Sequence, residues 1–153
     1  MPSSYSLLGG RNQAPLTDAE IKRAIHVFAN LDATVNVRHE PDVRTAFCVA
    51  RDEQGNEFGE IVLGPDIYPG GSVVDPNAGL SLNAAAAHEL THYYRWLDRT
   101  ALQDPLREHL DEALTSLEAI CRYEAQLNTI EVRLLASDAI LRIRLQVESE
   151  TAA

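Results

Sequence analysis

The chain is short of most features that would classify it at sight. Cysteine is scarce: Cys48 and Cys121 are the only two, far apart and in no ligand-like spacing. That excludes a disulfide framework or a cysteine-ligated zinc module, and two reduced, buried thiols are expected. Positive charge is also short, with 13 Lys and Arg against 23 Asp and Glu and a net charge of −10. Nucleic-acid backbones and anionic membrane surfaces are therefore poor partners. No stretch approaches the roughly 18 apolar residues of a membrane span, and Met1-Pro2-Ser3-Ser4-Tyr5 does not lead from basic residues into an apolar run. A cytoplasmic protein is the expectation. Internal repeats and low-complexity tracts are lacking too.

What is present is ordinary globular composition: 153 residues, 45% hydrophobic and 24% charged. Residues 1–153 read as one domain, long enough to bury a core. Residues 1–15, rich in Ser, Gly, Pro and Asn, read as a loose arm. Residues 16–99 read as a helix, a small sheet and a second helix. Thr17 and Glu20 make a capping box, with Leu16 and Ile21 placed as a hydrophobic staple. Ile21, Ala24, Ile25, Phe28 and Leu31 then recur at helical spacing over about 14 residues. His26 stands alone on this helix and reads as structural. Val35 and Val37, then Val43, Thr45, Phe47 and Val49, alternate with polar residues. Asp52-Glu53-Gln54-Gly55-Asn56 reads as a turn, and residues 58–63 run back as a strand. A small antiparallel or mixed sheet of three strands follows. His39, beside Glu40, Pro41 and Asp42, reads as part of a solvated turn. Residues 64–79 hold four of the eight Gly and three of the seven Pro and read as a loop with a short extended piece at 72–74.

The stretch that carries chemistry is Ala84-Ala85-Ala86-Ala87-His88-Glu89-Leu90-Thr91-His92. It lies inside a helix expected from Ser81 to about Arg99, with Ala86, Leu90, Tyr93, Tyr94 and Leu97 turned toward the sheet. Residues four apart on a helix differ by about 40° around the axis, so His88 and His92 can grip one ion. Glu89 lies about 100° from His88, beside the ion, where a carboxylate can take a proton from metal-bound water. This is the His-Glu-x-x-His pattern, with two metal-binding His and a general-base Glu. The competing reading is a pair of satisfied surface histidines.

A catalytic zinc takes three protein ligands and a water. Asp104-Pro105 starts a further helical part over residues 105–148, with neither Gly nor Pro after Pro105. Glu112 lies on it beside the apolar stripe of Leu106, Leu110, Ala113, Leu114, Leu117 and Ile120, and is the best third ligand. Glu108 faces nearly the same way one turn earlier and is its rival; Asp111 and Glu118 point elsewhere. Leu127, Ile130, Leu134, Leu141 and Leu145 continue the apolar spacing. The pattern fits one helix of more than forty residues or two with a break near Asn128 or Ser137. A helix that long would project and seek a homodimer or another partner protein.

His88-Glu89-x-x-His92 followed by Glu112 in Asp111-Glu112-Ala113 resembles the gluzincin group of zinc metallopeptidases, thermolysin-like in ligand spacing. The resemblance covers residues 88–116. It implies a zincin-like α+β fold, with an active-site helix under a sheet and a second helix giving the third ligand. It implies Zn2+ held by His88, His92 and Glu112, with Glu89 as base and proton shuttle, acting on a protein or peptide substrate. Members of the group carry an Asp four residues after the ligand Glu, orienting one His; here that place is Ser116, a weaker acceptor. They are mostly larger, with a second lobe walling the cleft. No motif supplies an oxyanion donor; His109, Tyr68 and Tyr123 are candidates. An edge strand, at residues 58–63 or 72–74, would align an extended peptide by β-addition. A diiron carboxylate site needs a second Glu-x-x-His, and none exists. The remaining alternative is a non-catalytic interaction module working through the long C-terminal helix.

Overall fold

Thr17 opens the first helix as its sequence requires. Its hydroxyl accepts from the Glu20 amide (3.2 Å), and the Glu20 carboxylate accepts from the Thr17 amide (2.9 Å). The computed structural model describes residues 10–71 and 76–152; the first nine residues and the expected extended piece at 72–74 lie outside the described residues. The elements are α1 (Asp18–Leu31), β1 (Asn36–His39), β2 (Ala46–Arg51), β3 (Glu57–Leu63), a 3-10 turn at Pro65–Ile67 and a one-turn α2 (Pro76–Gly79). They continue with α3 (Leu82–Leu97), a 3-10 turn at Pro105–Arg107, α4 (Glu108–Arg122) and α5 (Thr129–Thr151).

The class is α+β and the sheet is mixed. Its order is β1-β3-β2, with β1 parallel and β2 antiparallel to β3. The β2–β3 turn is built by Asp52, whose Oδ1 accepts from the amides of Gln54 and Asn56 (2.9 and 2.8 Å). Gly55 there takes φ 84°, a left-handed conformation that glycine adopts without strain. β3 is the central strand, and its run Ile61-Val62-Leu63 is buried, as befits a strand covered on both faces. This corrects one expectation. Glu60, Ile61 and Val62 have both backbone edges paired, β1 on one side and β2 on the other, so β3 is not an edge strand; the outer strands are β1 and β2.

The four alanines before His88 are all buried. α3 is the hub of the fold, in contact with α1, β2, β3, α4 and α5, and small side chains let its neighbours approach. Phe28, Ile61, Leu63, Leu90 and Leu135 fill the core around it. Leu97, expected on the sheet side, is exposed instead.

The C-terminal part is two helices, broken at residues 123–128 beside Asn128. Asn128 and Glu131 form a second capping box at the start of α5. α5 does not project: it packs along α4 and touches α2 and α3. The expected apolar stripe holds only in part: Ala113 and Leu145 are buried and Ile120, Leu127 and Leu134 pack against the core, but others turn outward. Leu106 (81% exposed), Leu114, Leu117 and Ile130 face outward, while Ala113, Ser116, Ala119, Leu135, Asp138, Ala139 and Leu145 face inward. Both cysteines are free; Cys48 is half-buried, and Cys121 is exposed, contrary to expectation. Among the described residues no helix is long and apolar enough to cross a membrane.

Gly64, at the end of β3, lies against the backbone after β1. A methyl group there would collide with the Val43 carbonyl oxygen. Gly64→Ala is expected to lower the unfolding free energy by about 1–3 kcal/mol. Urea melts measure this, and an unchanged midpoint would show that the 43–45 segment yields freely.

Candidate metal centre

Ser81 caps α3 by accepting from the Ala84 amide (3.1 Å), and its hydroxyl donates to Glu131 of α5. At the other end, the buried Arg95 donates to Asp111 Oδ1 (2.7 Å) and to the Thr100 carbonyl (3.1 Å). Asp111 Oδ1 also accepts from the Leu102 amide (2.9 Å). These bonds fold the α3–α4 connection back on itself and fix the register of α4 on α3. The neighbour of Asp111, Glu112, thereby arrives over the histidines. Asp111 is thus structural, as is Glu118, which pairs with Arg95 and Arg122.

Glu112 Oε2 stands 2.9 Å from His88 Nε2 and 3.1 Å from His92 Nε2. The two imidazoles meet edge to face with centroids 4.8 Å apart. One ligand atom from each of the three residues lies within 4.8 Å of the others. Two neutral nitrogens and one carboxylate oxygen are the donor set of a catalytic zinc with an open fourth position. The residues fit the metal. Glu108 borders the same cleft but is exposed and takes no part in this cluster.

A cleft of about 590 Å3 opens on the cluster. Residues 44–47 of the β2 side form one wall, with Asp66, Ile67 and Leu80 beside them and Glu108 and His109 opposite. Its floor is tied by Arg11, whose buried guanidinium donates to the carbonyls of Asp66, Ile67, Asn77 and Leu80. Arg11 and Asn12 are thereby anchored to the fold, at the end of the stretch expected as a loose arm. Thr45 donates to Asp66 Oδ1 from its amide (2.8 Å) and its hydroxyl (2.7 Å), which joins the wall to the floor.

Glu89 borders the cleft beside the cluster and makes no hydrogen bond among the described residues. Burial pushes its carboxyl above the ordinary carboxylate value, against the pull of His92 and His88. Glu112 is also desolvated, yet His92 and His88 hold it well below the ordinary value. Burial opposes charge on His92, but Glu112 beside it outweighs this and raises the imidazole to about 9. The signs fix two pH windows for the metal-free protein. The His92 contribution to stability is full below 6.5 and is lost as pH rises through about 9. The Glu112 contribution is full above 4.5 and is lost as pH falls below it. An ion bound by these residues would have to displace the His92 proton. Calorimetry at pH 7.5 in buffers of different ionisation enthalpy is expected to find about one proton released per zinc. Release of none would remove His92 from the ligand set.

Of the candidate oxyanion donors, His109 reaches the cleft. Tyr68 does not border it and donates to the Glu20 carbonyl (2.7 Å), and Tyr123 is buried in the core. His26 is exposed, as befits its lone place on α1. Two residues of the centre were not foreseen. Asp138 and Arg142 of α5 lie behind the ligands, with Arg142 Nη1 at 3.3 Å from Glu112 Oε2 and Arg142 Nε at 2.7 Å from Asp138 Oδ2. Their signal was an acid and a base four apart, on the helix face shared by Leu135, Ala139 and Leu145. Comparison with family models, curated proteins and solved structures gives no match.

Proposed function

We propose that this chain is a small zincin-like zinc metallopeptidase, gluzincin in its ligand arrangement, that hydrolyses a peptide bond in a protein or peptide. The observation that carries the reading is the convergence of Glu112 from α4 on His88 and His92 of α3, with Glu89 beside them on one cleft. His88, His92 and Glu112 would hold the ion. Bound there, zinc supplies Lewis acidity, acidifying its water and polarising the scissile carbonyl. Glu89 takes the proton of the attacking water on its carboxylate and passes it to the leaving amine nitrogen. Its raised proton affinity suits a group that must hold the proton between the two steps. The outer edge of β2, next to the wall at residues 44–47, is where an extended substrate would add as a strand.

The alternative is a non-catalytic interaction module on the C-terminal helices. Its support is the outer face of α5, where Ile140, Ile143 and Val147 are exposed. Metal analysis and turnover separate the two readings. The peptidase reading expects one zinc per chain and cleavage of an unstructured protein or peptide library that stops on chelation. Protein that takes up no zinc from excess metal would sink it.

A further inference from the structure

Behind the ligands, a run of hydrogen bonds leads from His88 into α5. Ser116 follows Glu112 by one turn of α4, and its side chain and that of Asp138 are wholly buried (0% exposed). The Ser116 hydroxyl donates to Asp138 Oδ2 at 2.8 Å. Serine has one hydroxyl hydrogen, so its oxygen can only accept from the other neighbour, His88 Nδ1, 2.9 Å away. His88 Nδ1 therefore donates to Ser116, while Nε2 faces the cluster with Glu112 Oε2 2.9 Å away; an ion bound there would take the place of any Nε2 hydrogen and leave the ring hydrogen on Nδ1. The opposite arrangement would set a serine lone pair against a carboxylate oxygen in a site closed to water.

We propose that Ser116, Asp138 and Arg142 are positioning residues of the metal centre, through which α5 selects the nitrogen that His88 offers and steadies Glu112. This rests on the metal-site reading above. Asp138 is held by Arg142 Nε, and the same guanidinium reaches Glu112 Oε2, so the chain of contacts leaves the cluster at His88 and returns to it at Glu112. The carboxylate expected at position 116 is thus delivered from another helix through a hydroxyl. A buried acid–base pair is weak support for a fold, because desolvation cancels most of its attraction. Asp138 is costlier still: its Oδ1 is buried and finds no hydrogen-bond partner among the described residues. A helix face that needed only packing would be better served by apolar side chains. Orientation of the ligands is what the pair supplies.

The test is nitrogen-15 NMR of the histidine rings in the metal-free protein, together with zinc affinity by chelator competition. Wild type is expected to carry a His88 hydrogen on Nδ1. Ser116→Ala removes that acceptor and should leave the hydrogen on Nε2, facing Glu112 Oε2. Asp138→Asn can donate its amide hydrogen to Ser116, turn the hydroxyl toward Nδ1, and move the ring hydrogen to Nε2. Both variants are expected to bind zinc about 10–100-fold more weakly. A wild-type His88 ring with no hydrogen on Nδ1, or ring protonation unchanged in Ser116→Ala, would overturn the proposal. So would zinc affinities within twofold of wild type in both variants. If Asp138→Asn does not fold, wild type and Ser116→Ala still decide. If wild type binds no zinc, the metal reading falls by itself, and the tautomers still judge the hydrogen-bond relay.

Discussion

Replacing Glu89 by Gln is expected to slow peptide hydrolysis by about 10²–10⁴-fold, the usual worth of a general acid–base group, while zinc content stays at one per chain. Gln matches Glu in size and reach but cannot carry the proton from water to amine. The substitution touches little else. Glu89 makes no hydrogen bond among the described residues, and burial already disfavours its charge. A melting midpoint equal to or slightly above that of wild type should accompany the loss. Steady-state rates on a cleaved peptide, beside metal analysis of the same sample, measure both. Turnover within a fewfold of wild type would exclude Glu89 as the base, whatever the metal content.

Glu112→Ala is expected to abolish stoichiometric zinc. Apparent zinc binding by closed protein sites is worth about 10–16 kcal/mol. Losing one of three protein ligands then removes roughly a third, or about 10²–10⁴-fold in affinity. A second signature follows in the metal-free protein. Glu112 is the main group that raises His92 to about 9 against burial; without it only Glu89 and Asp111 pull the same way, and the imidazole pKa falls. Histidine titration by NMR reads that fall directly. Glu108→Ala is the matched control, since Glu108 borders the cleft outside the ligand cluster, and it should keep its zinc. Equal zinc loss in both variants would mean that the cluster is not the binding site.

The local structure was largely legible in the sequence because short-range chemistry decides it. The capping box at Thr17, the turn at Asp52–Asn56 in sequence and the serine cap of α3 each depend on residues within a few positions of one another. The gathering of His88, His92 and Glu112 was legible for a related reason: a helical turn relates the first two, and one short connection relates the third. What failed were judgements about which side of an element faces what. β3 has a strand's composition, but its central place depends on the parallel pairing with β1, more than twenty residues away. Much of the inner face of α4 and α5 was missed because it is small or charged, with Ser116, Ala119, Asp138 and Arg142 inside and Leu106, Leu114 and Ile140 outside. Hydrophobicity alone points the wrong way there. Arg11 was missed likewise, since nothing local marks a guanidinium that will be buried among four carbonyls.

The place of Arg142 on α5 also has a temporal side. Ribosomes add about 5–20 residues per second, so the roughly 50 positions from His92 to Arg142 take roughly 3–10 s to appear. During that interval the nascent polypeptide displays both imidazoles, and later Glu112, without the Asp138–Arg142 brace. On the proposed reading, the ligand cluster would therefore gain its full support only once translation has passed Arg142.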